Sequence, residues 1–455
     1  MARKCRLLKN STMTKKCLAV TSLLLLLVTL VLGENNINTE CLGDASAITE
    51  TFLSEPVDDE TKILLNEGER AFSVNLIKSL FSDFNATGQQ KNIFISPASI
   101  YQTLMLSYFG AKNVTEEELA ETLGFAGKVE RTDVIKNYLF ERAFQAIREL
   151  DTSLGYELTH ANKFYFDRTL PLNKCLQLVL QNEVEALDFK KAEKARAIIN
   201  SWVEEKTRNK IRELLPNGAL DGGTKVAMVN AAYFKGQWVS KFEKEDTETN
   251  NFYMKRDKIR VTEYMRQEGK FNYYTSEELR AHVLELPYIG DEVSMIMILP
   301  PFEDDSLHET VRRLTPETLK GVMSEVRSGF YSVDDLKVQI PKFKIEQSFE
   351  LAATLQKLGL DSLFDPLTSN LRGFLEPNAA AAAGDVSIQS AIHKSFIEVN
   401  EEGSEAAAAT VLFGFRSARP LFHTSFTADH PFMFMIYDKP SDTILFFGVY
   451  QNPAA

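Results

Sequence analysis

The segment 400–420, NEEGSEAAAATVLFGFRSARP, constrains the fold of this chain more than any other stretch. Its centre has four consecutive alanines, the best helix formers, and Ser404 is a residue type that caps helices well. Residues 411–415 are instead β-branched, aromatic, aliphatic or glycine, a composition that favours extended chain over helix. The fold must therefore explain why small residues precede an extended stretch that ends in Arg-Ser-Ala-Arg-Pro.

The first 33 residues have the layout of a secretory signal. They contain six basic residues and no acidic one, and the apolar run 18–32 precedes Gly33. A charged start, an apolar middle and small residues at the end are typical of a cleaved leader. The run is also near the shortest length that spans a bilayer, so an uncleaved membrane anchor is the alternative. We expect residues 1–33 to be removed and the mature protein to be secreted, extracellular and without a membrane segment.

The charge of the chain argues against nucleic acid as a partner. Removal of residues 1–33 changes the formal net charge from −12 to −18, because six positive charges are lost. Eight acidic side chains lie between residues 34 and 61, with no lysine or arginine and little apolar periodicity. This composition predicts an acidic, mobile N-terminal extension over residues 34–63.

Cysteines and glycosylation motifs fit an exported chain that is not held together by disulfides. After leader removal only Cys41 and Cys175 remain, either as one bridge or as two free thiols. The triplets that begin at Asn85 and Asn113 match the acceptor motif Asn-x-Thr. Both asparagines are therefore candidate sites of N-glycosylation.

The rest of the chain has the pattern of one globular domain, over residues 64–455. Its 44% hydrophobic content suits a large core, and no linker of Pro, Gly and Ser divides it. The only low-complexity piece, alanines 379–383, lies between Pro377 and Gly384 and is interpreted as a loop insertion. The periodicity predicts helices over 64–84 and 351–358, and a third whose buried stripe contains Ile198, Ile199, Trp202 and Val203. It predicts strands over 226–234, 283–286 and 293–299. It also predicts a strand on each side of Pro341, with the inward residues Leu336, Val338, Ile340, Phe343 and Ile345.

Motifs for enzyme chemistry are missing from the sequence. It has no Gly-x-Ser-x-Gly, no phosphate-binding or dinucleotide-binding glycine pattern, and no His-Glu-x-x-His or Cys-x-x-Cys metal motif. The six histidines are scattered. We therefore expect no enzyme activity, no metal and no cofactor, although a triad built from distant residues leaves no sequence signature.

Five separate motifs resemble those of the serpin family. The loop 400–420 resembles the serpin hinge and reactive loop, and residues 92–99 (NIFISPAS) and 229–238 (VNAAYFKGQW) are similar to the segments beneath and within the family's main sheet. Residues 392–394 (IHK) precede the loop, and residues 426–434 (FTADHPFMF) with Gly448 are similar to the C-terminal signature. The motifs span residues 64–453 in the family's order and spacing.

This resemblance implies an α+β fold in which a bundle of helices surrounds three β-sheets, with an exposed reactive-centre loop at about 401–420. It also implies a suicide-substrate mechanism. A serine protease attacks the loop and forms a covalent acyl-enzyme, and the freed loop inserts into the main sheet before hydrolysis is complete. The implied partner is a serine protease, and the inhibitor is expected to act as a monomer without a cofactor.

The role of the hinge in insertion explains why four small alanines stand at the centre of the segment 400–420. Side chains of a strand alternate between its two faces, so inserted Ser404, Ala406, Ala408 and Thr410 would point into the core, and none of them is bulky or charged. Glu405 has the opposite parity and stays outside. The hinge is composed of Gly403, Ser404, Glu405, Ala406, Ala407, Ala408, Ala409 and Thr410.

Two further groups of residues carry over from the family, position by position. Ser96, Ser99, Asn230 and His393 match the shutter, where hydrogen bonds hold the central strands together. Trp238, Lys342 and Glu401 match the breach, where insertion begins, and Lys342 and Glu401 are expected to form an ion pair. The plainer interpretation of the shutter residues is that they are buried polar groups satisfying one another.

The sequence leaves the scissile bond open between two positions. The family's usual count from Gly403 gives Ser417-Ala418, which suits an elastase-like protease, whereas Arg416-Ser417 suits a trypsin-like protease whose pocket carries a carboxylate. We prefer Arg416-Ser417, with Phe415 as a minor chymotrypsin-like site. The reactive-site residues are therefore Arg416, Ser417 and Ala418.

The function expected from the resemblance is inhibition, with a carrier as the alternative. Serpins that bind or transport other molecules tend to carry charged, bulky or proline residues in the hinge, and this hinge has uncharged, small residues at its inward positions. The leader, hinge and loop together resemble secreted arthropod serpins that restrain immune and clotting protease cascades.

Overall fold

The computed structural model describes residues 57–86, 90–149, 154–180, 182–377, 386–403 and 424–453. Several expectations fall outside these residues: the leader, most of the acidic extension, the polyalanine segment, hinge residues 404–410 and reactive-site residues 416–418. The side chains of Cys41 and Cys175 also fall outside them. Gly403, the first hinge residue, is described.

Ten α-helices occur in the described part of the chain. The second of them, α2, is buried along its whole length except at Gln102, since it packs between sheets rather than on the surface. The helices are α1 (Asp59–Ala86), α2 (Pro97–Gly110), α3 (Asn113–Thr122), α4 (Arg131–Glu149), α5 (Lys174–Val179), α6 (Ala192–Lys206), α7 (Ser306–Arg313), α8 (Pro316–Ser328), α9 (Ala352–Lys357) and α10 (Asp361–Phe364).

The described residues also form fourteen β-strands. They are β1 (Ile93–Ile95), β2 (Tyr156–Asp167), β3 (Val184–Leu187), β4 (Val226–Gly236), β5 (Glu248–Lys255), β6 (Lys258–Ser276), β7 (Ala281–Pro287), β8 (Val293–Leu299), β9 (Ser332–Pro341), β10 (Phe343–Glu350), β11 (Ser390–Val399), β12 (Ser425–Thr427), β13 (Phe432–Asp438) and β14 (Thr443–Tyr450). The α+β class expected from the sequence is confirmed.

The strands form two hydrogen-bonded networks. One is a five-stranded sheet in the order β10-β11-β4-β2-β3, and the other has nine strands in the order β1-β14-β13-β8-β7-β6-β9-β12, with β5 paired to β6. Three sheets were expected. The strands outside the five-stranded sheet are joined into one network because the 19-residue strand β6 pairs with β5, then β9 and then β7 along successive parts of its length.

Helix α1 begins earlier than the sequence pattern predicts. The pattern predicts a start at Leu64, but the helix starts at Asp59, so residues 59–63 belong to it rather than to the mobile extension. The Asp58 carboxylate accepts a hydrogen bond from the Thr61 backbone N–H at 2.7 Å. A carboxylate that satisfies a free N–H of the first turn extends the helix beyond its apolar stripe.

The other predicted elements are present, with one side chain misplaced. Strand β8 has the predicted bounds, and the inward residues of β9 and β10 are buried. Helix α6 buries Ala195, Ile199 and Val203, whereas Ile198 is 39% exposed. The prediction that Ile198 belongs to the buried stripe is wrong, because the stripe follows the i, i+4 spacing from Ala195 and leaves Ile198 at its edge.

The core lies on both faces of the five-stranded sheet. Its inner face packs on α2 and on the nine-stranded sheet, and its outer face packs on α6. The central strands of this sheet are therefore covered on both sides.

In the described part of the chain, no helix combines the length and apolar character needed to cross a membrane.

Candidate functional site

The candidate site is the seam between β4 and β11 at the centre of the five-stranded sheet. These strands are parallel, in a register that runs from Ser390 opposite Ala227 to Phe396 opposite Tyr233. Their other neighbours, β2 and β10, are antiparallel to them. A segment placed between β4 and β11 and running against them would make this part of the sheet fully antiparallel, and antiparallel pairing is slightly more stable for each residue.

The expected shutter residues lie together beneath the seam. Ser96 caps α2 by accepting from the Ser99 N–H at 3.2 Å, and its own hydroxyl donates to the Leu445 carbonyl at 2.6 Å. Asn230 of β4 donates its amide to the Ser99 carbonyl at 2.8 Å. His393 of β11 lies opposite Asn230 in the register. The first turn of α2 is thus bonded to central strands of the sheet.

The hydrogen bonds of His393 define its protonation state. Its Nδ1–H donates to the Asn230 side-chain oxygen, and its Nε2 accepts from the Ser96 backbone N–H at 3.2 Å. One donor and one acceptor on the ring require the neutral form. Burial of the fully enclosed ring, with a smaller contribution from His160, lowers the pKa of His393 to about 3. Burial also lowers the pKa of His160 to about 4.

This neutral histidine makes stability depend on pH. An unfolded chain binds a proton at His393 below the ordinary pKa of 6.5, whereas the folded chain does not bind it until about pH 3. The stabilisation is therefore complete above pH 6.5 and is lost as pH falls, by up to ~1.4 kcal/mol for each pH unit. We expect the thermal midpoint to fall between pH 7 and pH 5, and His393→Gln to flatten this fall. His308→Gln, at an exposed position of α7, is the control, and equal slopes for all three proteins would contradict the assignment.

Sequence reasoning missed other members of this network. Asn162 of β2 lies opposite Asn230, and its side-chain oxygen accepts from Ser99 Oγ at 2.8 Å and from Asn230 Nδ2 at 3.0 Å. Thr103 Oγ1 accepts from Asn230 at 2.7 Å. A usable signal was present, since Asn162 has the same strand parity as buried Phe164 and is a polar residue at an inward position.

The expected breach residues lie at the top of the seam. Lys342 Nζ is 3.0 Å from a carboxylate oxygen of Glu401 and 3.8 Å from one of Glu263. Thr247, which the sequence did not indicate, donates to Glu401 at 2.9 Å. Burial raises the pKa of Glu401, but hydrogen bonds from its own backbone N–H, Lys342 and Thr247 outweigh burial and lower it. The carboxylate is therefore held ionised where the sheet meets the loop.

Trp238 closes the same end of the seam. Its ring is 1% exposed and stacks on Tyr288 with centroids 4.5 Å apart. Its indole N–H donates to the Asn400 carbonyl at 3.0 Å, and its backbone N–H donates to the Glu402 carbonyl at 3.0 Å. The turn after β11 is thus fixed against the end of β4, directly above the seam.

Position 403 in this turn can be occupied only by glycine. Its φ is 131°, and a Cβ atom there would lie 2.0 Å from the Gly236 carbonyl oxygen. We expect Gly403→Ala to destabilise the fold by about 3 kcal/mol, since it combines a left-handed conformation with a backbone clash. Gly218→Ala is the matched control, because Gly218 has a φ of 78° and open space around it. Denaturant titration should separate the two variants, and equal losses would exclude the clash.

The outer face of the seam is crossed by α6 and the segment after it. Arg208 pairs with Glu157 of β2 at 3.0 Å on one side. On the other side Lys394 of β11 donates to the Arg212 carbonyl at 2.8 Å, and Lys210 Nζ lies 5.6 Å from the centre of the Phe396 ring. Any strand that enters the seam must therefore displace this covering.

The two candidate glycosylation sites differ in exposure. Asn113 is the exposed first residue of α3, whereas the Thr115 hydroxyl of its motif is buried and accepts from the Asn370 N–H at 3.0 Å. Asn85 lies near the end of α1, and its side-chain nitrogen is buried. Among the described residues no cluster of three or more His, Cys, Asp or Glu side chains is arranged to hold a metal ion.

Comparison with known proteins identifies the family. A family model described as "Serpin (serine protease inhibitor)" matches residues 67–453. The chain is a serpin. Serine protease inhibitor 88Ea of Drosophila melanogaster is 33% identical to it over 410 residues, covering 87% of this chain and 92% of the fly protein. Human antithrombin-III is 38% identical over 417 residues, covering 89% of this chain and 87% of antithrombin.

Solved structures confirm the serpin fold. Human thyroxine-binding globulin complexed with thyroxine superposes with a TM-score of 0.72 at 25% identity, covering 86% of this serpin and 98% of the globulin. The family thus includes inhibitors of serine proteases and also a protein that binds a small molecule. Family membership confirms the fold and leaves the activity of this serpin to be argued from its own residues.

Proposed function

We propose that this serpin is a secreted suicide-substrate inhibitor of serine proteases, with trypsin-like enzymes as its targets. One observation carries the proposal: the chain rises along β11, turns at Asn400–Gly403 directly above the seam, and continues into a segment of small residues. A segment that passes down from Gly403 runs antiparallel to both β4 and β11. The parallel seam is therefore suited to accept it as an additional strand.

The chemistry begins at Arg416. The serine hydroxyl of the protease attacks the Arg416 carbonyl carbon, and the histidine of the protease transfers the serine proton to the departing Ser417 amine. An ester then joins the protease to Arg416, and water is needed to break it. Inhibition results when the loop inserts, and distorts the protease, before water attacks the ester.

The geometry indicates an order for insertion. The breach residues Trp238, Lys342 and Glu401 lie nearest to Gly403, so we propose that the seam parts there first. The shutter residues lie further along the seam, where the bonds of Asn230 and His393 must rearrange to admit Thr410 and the residues after it. The covering by α6 and residues 208–212 gives way on the outer face.

The remaining assignments extend the proposal to the whole chain. Residues 1–33 act as the secretory signal, the acidic extension precedes the serpin domain, and Asn85 and Asn113 are acceptors for glycans. The resemblance of the leader, hinge and loop to secreted arthropod serpins implies an extracellular role in an immune or clotting protease cascade. The inhibitor acts as a monomer and needs no cofactor.

A carrier without inhibitory activity is the second candidate, favoured by the similarity to thyroxine-binding globulin. One gel separates the two. Purified protein is mixed with trypsin, elastase or chymotrypsin and run in SDS, and we expect a covalent adduct with trypsin. A loop that is merely cleaved by all three proteases, without an adduct, would favour the carrier.

Recognition of Arg416 by the specificity pocket of the target protease can be tested separately. Arg416→Ala should abolish the trypsin adduct without altering stability, because the carboxylate in the protease pocket loses its guanidinium partner. Ser417→Ala should change the rate only modestly. Mass spectrometry of the released C-terminal peptide provides the direct measurement. A first residue of Ser417 supports this choice, whereas a first residue of Ala418 assigns the bond to Ser417-Ala418 and an elastase-like target.

A further inference from the structure

Two patches of exposed apolar side chains stand out among the described residues. The aromatic patch consists of exposed Phe330 and Tyr331 with half-buried Tyr274 beneath them. The ribbon patch consists of exposed Ile259, Val261 and Phe302 with half-buried Tyr253. Phe330 is 81% exposed and Val261 is 68% exposed. Contiguous apolar surface of this kind commonly marks a place where another protein binds.

The aromatic patch is held in a fixed geometry. Helix α8 is followed by Gly329, its C-cap, whose left-handed φ of 61° turns the chain outward at Phe330. The ring of Phe330 packs edge-on against Tyr331 at 5.3 Å, and Tyr331 stacks on Tyr274 at 5.0 Å. Rigid aromatic side chains lose little conformational entropy on binding, and aromatic residues are enriched at the centres of interfaces.

The direction of β12 indicates which patch lies beside the C-terminal end of the reactive loop, whose other end follows Glu401 beside Lys342, just after β9. Strand β12 is parallel to β9, with Ser425 opposite Lys337, so the chain reaches Ser425 from the side on which β9 begins. The aromatic patch is at that side, since Phe330 and Tyr331 immediately precede β9. The ribbon patch instead meets the chain after β12, where the Tyr253 N–H donates to the Asp429 carbonyl at 2.7 Å.

The backbone of β6 connects the aromatic patch to β12 through Tyr273, whose ring lies on the opposite face of the strand from Tyr274. Tyr273 donates its backbone N–H to the Tyr331 carbonyl at 3.0 Å, and its ring packs edge-on against Phe426 of β12 at 6.3 Å. The exposed ion pair of Lys270 and Asp334, at 3.2 Å, lies on the same pair of strands, β6 and β9. An apolar centre with charged groups nearby matches the anatomy of protein interfaces.

We infer that the aromatic patch is a second contact surface for the protease that attacks the loop. The inference rests on the proposed function, because the partner it names is the target of the loop. The matching surface on the protease is apolar and borders its active-site cleft on the side that holds residues after the scissile bond. Phe330 is the anchor, and it adds affinity for the encounter without taking part in acylation.

The test uses bovine trypsin with its active-site serine replaced by alanine, so that binding is measured without cleavage. Phe330→Ser should weaken binding of the intact inhibitor about tenfold, the effect of removing one aromatic anchor. It should lower the association rate constant with active trypsin by a similar factor and leave the stoichiometry of inhibition unchanged. Leu367→Ser is the matched control, because Leu367 is 86% exposed and lies in the turn that packs near Val386, at the opposite end of β11 from the loop.

The outcomes separate this inference from the proposed function. An adduct with active trypsin, together with equal affinities for wild type, Phe330→Ser and Leu367→Ser, would overturn the contact surface and leave the inhibitory function standing. Weaker binding of Phe330→Ser to inactive trypsin, with no adduct from active trypsin, would support the surface and overturn the inhibitory function. Equal weakening by both variants would overturn the surface, because it would show a nonspecific apolar effect.

Discussion

Replacing Ser404 or Ala406 by arginine is expected to convert this serpin from an inhibitor into a substrate of the same protease. Both side chains would point inward in the proposed inserted strand, so insertion would bury a guanidinium against a face that packs on α2 and the nine-stranded sheet. An unpaired buried charge costs several kcal/mol, and about 3 kcal/mol slows insertion roughly a hundredfold. Hydrolysis of the ester then wins, and the measured stoichiometry of inhibition rises steeply.

Glu405→Arg is the matched control for these two variants. It introduces the same side chain at the neighbouring position, whose parity directs it to the outer face. We expect the stoichiometry of inhibition to stay close to that of wild type. Equal loss of inhibition from all three variants would show that the hinge does not enter the sheet as an alternating strand.

Cleavage of the loop between residues 411 and 419 is expected to raise the thermal midpoint by tens of degrees. The inserted segment would gain about ten ladder hydrogen bonds with each of β4 and β11, each worth about 1 kcal/mol, less the bonds that join β4 to β11 over seven register pairs in the uncut protein. For a chain of this size, each added kcal/mol raises the midpoint by about 1–2 °C. The uncut protein would thus be held by a kinetic barrier rather than by its lowest free energy.

Differential scanning calorimetry of the cut and uncut protein measures this change. The matched control is the same digestion applied to Ala406→Arg, which is cut but is expected to insert poorly and to gain much less. An unchanged midpoint for cut wild type would argue that the loop stays outside the sheet. Such a result would favour the carrier function.

The sequence was most informative where a pattern is local or periodic. The alternation of Leu336, Val338 and Ile340 predicts an inward face of β9 correctly, because burial of alternate side chains is what defines a half-buried strand. The start of α1 was misjudged because Asp58 caps it with a side chain that no apolar period reveals. Strand order, and the joining of β5, β6 and β9 to the other strands of the nine-stranded sheet, depend on contacts between distant residues.

In the candidate site, too, motifs in the sequence predict some residues, whereas others can be recognised only from the fold. Ser96, Asn230 and His393 were found through motifs, and their proximity depends on a register that pairs β4 with β11 over a separation of more than 150 residues. Asn162 and Thr247 were missed because each is an ordinary polar residue until the fold places it beside a partner. The protonation state of His393 likewise follows from two hydrogen bonds that no spacing encodes.

Entry of the hinge into the seam between β4 and β11 can be followed directly by hydrogen exchange. Mass spectrometry after exchange compares peptides that cover residues 404–410, Val226–Gly236 and Ser390–Val399 in the uncut protein and in the covalent protease complex. We expect the hinge amides to become strongly protected in the complex, together with increased protection at the upper ends of β4 and β11. Hinge amides that exchange equally fast in both states, in a complex that resists SDS, would contradict insertion of the hinge.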